Sequence, residues 1–371
     1  MELPIAYVGF AQSIFICILL FLKKPLKTAD IILGVWTVTI ACMFGLNIFQ
    51  DLGLAQEEKW SVSLSISITY PPLLYLYSKY VTIDLGKFQQ KDLAHILLPI
   101  VLIIILLIVG ENPKNTLYKK GSLISWIRNV VGGGFVIMLW LYGLLALRNI
   151  RNYKRHIVDI YSYKSDRISL SWLLLVIISF ILVYNIIIVV SMLRETRIII
   201  TEIDTIRDAA LLIYVYVIGV WGFRQNQLAM DMRLIDPSSQ INAKTASKKY
   251  RKSGLNDHLA MKYKKRLIRF MNESEAWKDQ NLSVALLSRQ TKIASHHITE
   301  VLNKYLGKNF YVFVNEYRVE YAKKLITSSE HQSMTFISIA YECGFNSKTA
   351  FYNYFKKNTG LTPSQYKANN L

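Results

Sequence analysis

Residues 340–366 read AYECGFNSKTAFYNYFKKNTGLTPSQY, and the pattern of this stretch indicates how the C-terminal part of the chain folds. A short helix is predicted to end at Gly344, because glycine takes the left-handed conformation of a tight turn at little cost. A second helix is predicted to begin at Ser347, a good N-cap residue, and to bury Phe351 and Phe355. Two short helices joined by a tight turn are typical of a helix-turn-helix unit.

The second helix of this unit, which spans about residues 335–358, has a polar outward face. That face presents Lys348, Thr349, Tyr352, Asn353, Lys356 and Lys357. A recognition helix in the DNA major groove needs polar side chains that reach base edges and cations that bind phosphates. We therefore expect this helix to contact DNA.

A similar pattern occurs upstream, over about residues 282–305. The predicted helix 295–305 carries apolar residues at helical spacing, namely Ile298, Val301, Leu302 and Tyr305. Its opposite face carries His296, Thr299, Glu300 and Asn303. A longer helix around 309–327 joins the two units. This arrangement predicts two recognition helices in successive major-groove turns, about 34 Å apart.

These residues resemble a known family. In AraC/XylS-type transcription regulators, Gly-Phe, a Ser, two Phe and Gly-x-Thr-Pro-x-x-Tyr recur at the spacing seen in residues 340–366. Residues 249–255 and 307–318 resemble the subset of that family that is fused to a membrane-spanning N-terminal half. The resemblance implies a membrane sensor whose cytoplasmic domain binds double-stranded promoter DNA, with RNA polymerase, a second copy of the chain and an unknown small-molecule or envelope signal as further partners.

The resemblance also implies roles for individual residues. The base-facing candidates are His296, Thr299 and Glu300 in the first unit and Lys348, Thr349 and Asn353 in the second. Glu300 would accept a hydrogen bond from a cytosine amino group, and Asn353 would pair with adenine. The phosphate-binding candidates are Lys304, Lys308, Lys356 and Lys357. For these lysines, a solvated surface without a DNA contact is the alternative.

The first unit departs from the family pattern at two positions. Lys292 occupies the place of the usual turn glycine, and Ala294 the place of the usual serine cap. Each change is expected to cost about 1 kcal/mol and to leave the first unit less rigid. The adjacent pair His296-His297 does not predict a metal site, because neighbouring residues of a helix point about 100° apart. No metal and no cofactor are expected.

The remainder of the chain is very different in composition. Of its 371 residues, 52% are hydrophobic and 19% charged, and the net charge is +7 up to Arg224 but +12 after it. The hydrophobic content excludes a disordered chain, and three cysteines, two of them in apolar runs, do not suggest a disulfide framework. The chain therefore combines an apolar half with a strongly basic half.

Seven apolar runs precede Arg224, and each is near the roughly 20 residues that a helix needs to cross the hydrocarbon of a membrane. They lie at about 5–22, 31–49, 60–83, 93–110, 123–147, 170–193 and 203–223. The predicted fold is therefore all-α. It comprises a seven-helix transmembrane sensor domain at 1–224, a basic linker at 225–256 and a cytoplasmic DNA-binding domain of about seven helices at 257–371.

The loop charges predict the orientation. Alternate loops hold 11 Lys and Arg in one set and 6 in the other, and the loop 148–169 contributes most to the difference. The positive-inside bias then puts the N-terminus outside and the basic C-terminal part in the cytoplasm. We expect the protein in the inner, cytoplasmic membrane. The positive run at 244–252 would either be a solvated linker or lie on anionic lipid.

Ionisable residues inside the spans are few. Arg207 and Asp208, near the outer end of the last run, are the best candidates for signal sensing, although charged side chains near span ends often only reach for the headgroups. Tyr70-Pro71-Pro72 in the third run is expected to interrupt a helix.

Two other classes of function are weighed against the regulator. A multi-span transporter or receptor with a basic tail for lipid or a protein partner is the main alternative, although no convincing internal repeat is present. An intramembrane enzyme would need a nucleophile, metal ligands or paired carboxylates at mid-membrane, and no such motif occurs in the sequence. We therefore do not expect an enzyme.

Overall fold

The structure of the protein is a computed structural model, and it describes residues 2–53, 60–82, 88–109, 123–163, 170–195, 203–235, 255–331 and 333–370. They form helices joined by short turns, and no strand is found among them beyond an isolated antiparallel bridge between Tyr161 and Ser283. The all-α prediction is thus confirmed. The chain divides into two compact units, which are Met1–Arg151 with Leu170–Ala229, and Asn152–Ser169 with Met230–Leu371.

The first unit is built from helices α1 to α8, and the last residues of α6 and α8 belong to the second unit. The helices are α1 Glu2–Phe21, α2 Thr28–Asp51, α3 Trp60–Ile68, α4 Tyr70–Thr82, α5 Ala94–Val109, α6 Leu123–Ile157, α7 Ser171–Glu195 and α8 Ile203–Ile235. A short 3-10 turn, Gln90–Leu93, precedes α5.

Five helical segments are long and apolar enough to cross a membrane, among the residues that the structure describes. They are Pro4–Phe21, Thr28–Asp51, Val130–Ile157, Ser171–Val189 and Thr205–Phe223. The predicted run 60–83 is divided at Thr69 into α3 and α4, directly before the two prolines, and the run 93–110 forms α5, a helix of 16 residues. The structure therefore supports five such segments and not clearly seven.

Glycines let the helices of the first unit approach closely, as is usual where small residues line helix contacts. A Cβ added at Gly219 of α8 would lie 2.3 Å from the side chain of Ile16 in α1, and one at Gly9 would lie 2.5 Å from the ring of Phe44 in α2. Both distances are shorter than any real contact. A larger residue at either position would therefore require the side chain of Ile16 or of Phe44 to shift.

The second unit contains helices α9 to α15. They are α9 Asp257–Ser274, α10 Val284–Thr291, α11 Ser295–Glu300, α12 Phe310–Thr327, α13 Phe336–Glu342, α14 Lys348–Thr359 and α15 Pro363–Asn370. Helix α12 contributes to both hydrophobic cores of this unit, with Phe313 in the core of the first helix-turn-helix and Val319 in that of the second. Helix α12 is thus the connecting helix that the sequence predicted between the two helix-turn-helix units.

The boundaries around the predicted linker differ from the sequence prediction. Helix α8 continues to Ile235, so residues 225–235 of the predicted linker are helical. Helix α9 then begins at Asp257, where the Asn256 side chain caps it by accepting from the His258 N–H. The basic run at 244–252 lies outside the described residues.

The loop predicted at 148–169 also differs. Helix α6 continues through its first part to Ile157, and residues 158–163 then form a turn that belongs to the second unit. The second unit is therefore assembled from two stretches that lie far apart in the sequence.

Candidate nucleic-acid interface

The second helix-turn-helix unit has the geometry that its sequence predicts. Helix α13 ends before Gly344, which has a φ of +81°, and helix α14 begins after Ser347, whose hydroxyl accepts from the Ala350 N–H at 3.2 Å. Phe351 and Phe355 are fully buried against α12 and α13. The turn and the cap thus fix α14 on its core.

The outward face of α14 carries the predicted contacts. Lys348, Thr349, Asn353, Lys356 and Lys357 are all exposed. The Lys348 ammonium lies 5.4 Å from the centre of the Tyr352 ring, so this side chain extends along the face of the helix. A row of polar and cationic groups on one exposed helical face matches what readout of the major groove requires.

Gly344 also lies close to the segment that follows α9, outside the second helix-turn-helix unit. A Cβ at this position would lie 2.6 Å from the carbonyl oxygens of Trp277 and Lys278, which follow α9. Both the positive φ and this close approach therefore require glycine.

The turn of the first helix-turn-helix contains the two departures from the family pattern that the sequence shows. Lys292 takes the left-handed conformation with φ +53°, and Ala294 precedes α11 without a side-chain cap. A hydrogen bond from the Ser288 hydroxyl to the Ile293 carbonyl, at 2.6 Å, supports this turn. After Glu300 the recognition helix continues as a π-helical turn, Val301–Tyr305.

The base-facing candidates of the first unit are not equally placed. His296 is exposed and its ring lies 4.0 Å from that of His297, whereas Thr299 is half-buried and its hydroxyl donates to the Ser295 carbonyl at 3.1 Å. Glu300 is only 5% exposed, and its Oε2 has no hydrogen-bond partner among the described residues.

The prediction that Glu300 lies on the outward face is therefore wrong. That prediction placed Glu300 opposite the buried residues from the helical period alone, whereas neighbouring parts of the domain cover this position in the structure. A buried carboxylate does not present itself to a cytosine amino group.

The predicted phosphate contacts also divide into two groups. Lys304, Lys356 and Lys357 are exposed, and the Lys304 ammonium lies 3.2 Å from the Tyr305 hydroxyl. The Lys308 ammonium instead forms an ion pair with Glu316 at 2.6 Å. Lys308 would have to give up this pair to bind a phosphate, so it is the weakest of the four candidates.

A buried arginine joins the parts of the second unit, and sequence reasoning missed it. Arg318 of α12 is fully buried and donates to the carbonyl oxygens of Trp277 and Asp279, both at 2.7 Å, and of Ser162 at 3.2 Å. Burial lowers the pKa of its guanidinium to about 10, so it remains charged at neutral pH. Asn315, one turn earlier, donates to the Ser162 carbonyl at 2.8 Å.

The sequence does hold a signal for the segment around Ser162. Residues 157–163 read IVDIYSY, a short apolar and β-branched run inside an otherwise charged loop. Such a run favours extended, partly buried backbone over a solvated loop. Nothing in the run indicates which part of the chain it packs against.

The candidates for signal sensing lie inside the first unit. The Arg207 guanidinium donates to Asp208 at 2.9 Å, and the Asn47 amide of α2 donates to the same carboxylate. The side chains of Arg207 and Asp208 are 13% and 7% exposed, so this ion pair is held between helices and does not extend to the surface. A sensing role for the pair stays a prediction.

Comparison with known proteins identifies the C-terminal part only. Residues 287–369 match the family model of a helix-turn-helix domain. The chain is similar to uncharacterized HTH-type transcriptional regulators of Staphylococcus aureus strains COL, MSSA476 and N315, each 33% identical over 88 residues.

These similarities cover 24% of this chain and only 11% of the length of each relative. No solved structure is significantly similar to the chain.

Proposed function

We propose that the chain is a membrane-tethered, sequence-specific DNA-binding transcription regulator, in which a signal received by the apolar half changes promoter binding by the C-terminal domain. The observation that carries this proposal is the second helix-turn-helix unit. Its recognition helix α14 is capped by Ser347 and presents an exposed polar and basic face. The similarity of residues 287–369 to a helix-turn-helix domain supports the same function.

The two recognition helices are proposed to read bases through five side chains. These are His296 and Thr299 in the first unit and Lys348, Thr349 and Asn353 in the second. Exposed Lys304, Lys356 and Lys357 would bind phosphates, which gives affinity without sequence information. Because its recognition helix is capped at both ends, the second helix-turn-helix unit is proposed to be the more rigid of the two.

The apolar half is proposed to anchor the protein in the cytoplasmic membrane. Five helical segments that are long enough to span it support this role. The excess of Lys and Arg in the loops on one side favours an outside N-terminus and a cytoplasmic DNA-binding domain. Lipid, RNA polymerase and a second copy of the chain are the further partners that this function requires or permits.

The first test is selection of genomic fragments by the full chain in detergent micelles or nanodiscs, followed by sequencing. We expect enrichment of a few promoter fragments that share two short elements about one helical turn apart. Uniform enrichment that disappears with added salt would contradict sequence-specific regulation. Salt-sensitive binding to anionic vesicles, in the absence of any DNA preference, would favour the transporter or receptor with a basic tail.

The substitution Asn353→Ala tests the assigned readout. Because an amide that pairs bidentately with adenine contributes about 1–3 kcal/mol of discrimination, we expect relaxed sequence preference with retained nonspecific binding. Asn358→Ala is the matched control, since Asn358 is an exposed asparagine of the same helix that lies outside the polar face. Binding of both variants to the selected fragments and to mismatched duplexes is compared by fluorescence anisotropy. An unchanged preference in Asn353→Ala would remove this residue from the interface.

A further inference from the structure

Residues 158–163, which we call the docking segment, follow directly on α6 and pack on the first helix-turn-helix unit. The backbone carbonyls of this segment cap α10 of that unit and the connecting helix α12. The Ile160 carbonyl accepts from the N–H of Val284, the first residue of α10, and the Val158 carbonyl accepts from the N–H of Tyr311 in the first turn of α12, both at 3.0 Å. First-turn N–H groups have no partner within their own helix, so the docking segment satisfies donors that would otherwise need water.

Ser162 fixes the far end of the docking segment. This residue is fully buried, its N–H and hydroxyl both donate to the Leu282 carbonyl, at 3.3 and 2.6 Å, and its carbonyl accepts from Asn315 and Arg318. The fully buried guanidinium of Arg318 therefore uses the docking segment as one of its partners. Backbone and side-chain bonds together hold the segment in one register.

The docking segment also reaches the recognition helix of the first unit. Burial raises the pKa of the Asp159 carboxyl, and the nearby side chain of Asn303, an exposed residue of the π-helical turn, partly offsets this effect. Asn303 is adjacent to Lys304, a phosphate-binding candidate. Docking thus places a negative charge beside the part of the helix that is expected to approach the DNA backbone, where like charges repel.

We propose that the docking segment is an intramolecular restraint, through which α6 holds the first helix-turn-helix unit in a state that binds DNA weakly. This inference rests on the proposed DNA-binding function. Release of the segment frees Asn303 and removes the Asp159 carboxylate from the recognition helix. Because α6 contains the candidate span Val130–Ile157, a displacement of this helix in the membrane acts directly on the first reader.

A disulfide trap tests the docked state. Tyr161 and Ser283 form an isolated antiparallel bridge, and the bonds on either side of it, Ser162 N–H to Leu282 and Val284 N–H to Ile160, make them a non-hydrogen-bonded pair. Such pairs have Cα atoms about 4.5 Å apart, which suits a disulfide. The variant Tyr161→Cys/Ser283→Cys is prepared as the full chain in native membranes and oxidised.

The bond is identified by mass spectrometry of the linked peptides, so the native cysteines need not be removed. We expect the linkage in most molecules of the double variant. We expect much less in Tyr163→Cys/Ser283→Cys, whose residues are displaced by one pleat, about 7 Å. Equal linkage in both pairs, or none in the first, would overturn docking.

DNA binding by the oxidised and reduced double variant then tests the restraint. We expect the oxidised chain to bind DNA more weakly than the same chain after reduction, by up to about fivefold, because only the reduced chain can release the segment and lose one unfavourable charge contact. Equal affinities of the oxidised and reduced forms would overturn the restraint. The probes are a fragment selected by the reduced chain and a random duplex. If the reduced chain shows no sequence preference, the proposed DNA-binding function is contradicted. The disulfide yields of the two cysteine pairs still show whether the segment is docked.

A second variant keeps the inference testable if the cysteine pair does not fold. Asp159→Asn retains the shape of the side chain and removes its charge, and Glu330→Gln removes one charge from an exposed residue of the same unit as the matched control. We expect Asp159→Asn to strengthen DNA binding severalfold more than the control does. Equal effects of the two substitutions would contradict the role of Asp159.

Discussion

At the scale of single residues, two glycines with the same backbone conformation differ in what surrounds them. Gly344 and Gly360 have φ values of +81° and +78°, and each follows a helix of the second helix-turn-helix unit. A Cβ added at Gly344 would lie 2.6 Å from two carbonyl oxygens. A Cβ added at Gly360 would have no described atom within 4 Å.

Gly344→Ala is therefore expected to destabilise the C-terminal domain much more than Gly360→Ala. The substitution at Gly360 should cost about 1 kcal/mol, from the positive φ alone. The one at Gly344 adds a steric clash with backbone and should exceed about 3 kcal/mol. Thermal unfolding of the C-terminal domain and limited proteolysis of the full chain measure the difference. Similar destabilisation of the two variants would show that the close approach at Gly344 is unimportant.

Arg318 is the other residue on which the domain depends. Arg318→Ala leaves the carbonyls of Trp277 and Asp279 buried without their donor, and we expect the domain to be destabilised by about 3 kcal/mol or more. Arg269→Ala is the matched control, because the ion pair of Arg269 with Glu273 is exposed, and no measurable change is expected from its removal. The same thermal unfolding and proteolysis measurements compare the two variants. A wild-type melting temperature for Arg318→Ala would contradict a structural role for the buried guanidinium.

At the scale of elements, local signals in the sequence predicted the helix boundaries of the second helix-turn-helix unit. Ser347 and Gly344 act through their own side chain and backbone, so their positions could be read without knowledge of the fold. Glu300 could not be placed in this way. Its burial depends on which parts of the domain pack around the recognition helix, and the helical period of that helix does not contain this information.

Helix α14 carries a prediction about affinity. If Lys356 and Lys357 bind phosphates, Lys356→Ala/Lys357→Ala should weaken binding to all DNA sequences alike, and should reduce the slope of log affinity against log salt by about 0.9 for each phosphate that is no longer neutralised. Lys262→Ala, on the exposed face of α9 and outside both helix-turn-helix units, is the control. Titrations at several salt concentrations give the slopes. An unchanged slope would show that both lysines are solvated surface residues that do not bind phosphates.

At the scale of the whole molecule, the sequence predicted an apolar half and a DNA-binding half but drew the division between them incorrectly. Composition changes at Arg224, whereas the second compact unit also includes Asn152–Ser169. A division by composition assumes that a domain is continuous in sequence. The hydrogen bonds of Ser162 with Arg318 join residues 156 positions apart, and no local pattern contains that information.

The assembly of the second unit from two stretches predicts a property of its isolated part. A fragment of residues 255–371 lacks the carbonyls that cap α10 and α12, so it should be less stable than the same domain in the full chain. Addition of a peptide of residues 152–163 should raise the melting temperature of the fragment in proportion to its occupancy. A peptide of the same residues in scrambled order is the control. Equal melting temperatures with both peptides would show that the cap contributes little.

This discontinuity has a consequence for biosynthesis. Ser162 leaves the ribosome 156 residues before Arg318, its partner in the finished domain. At a translation rate of about 5–20 residues per second, the wait is roughly 10–30 s, during which α7 and α8 must be made. The second compact unit thus becomes complete only after α7 and α8 have been synthesised. Synthesis order therefore presents the docking segment to the C-terminal helices, which emerge last and can fold directly onto it.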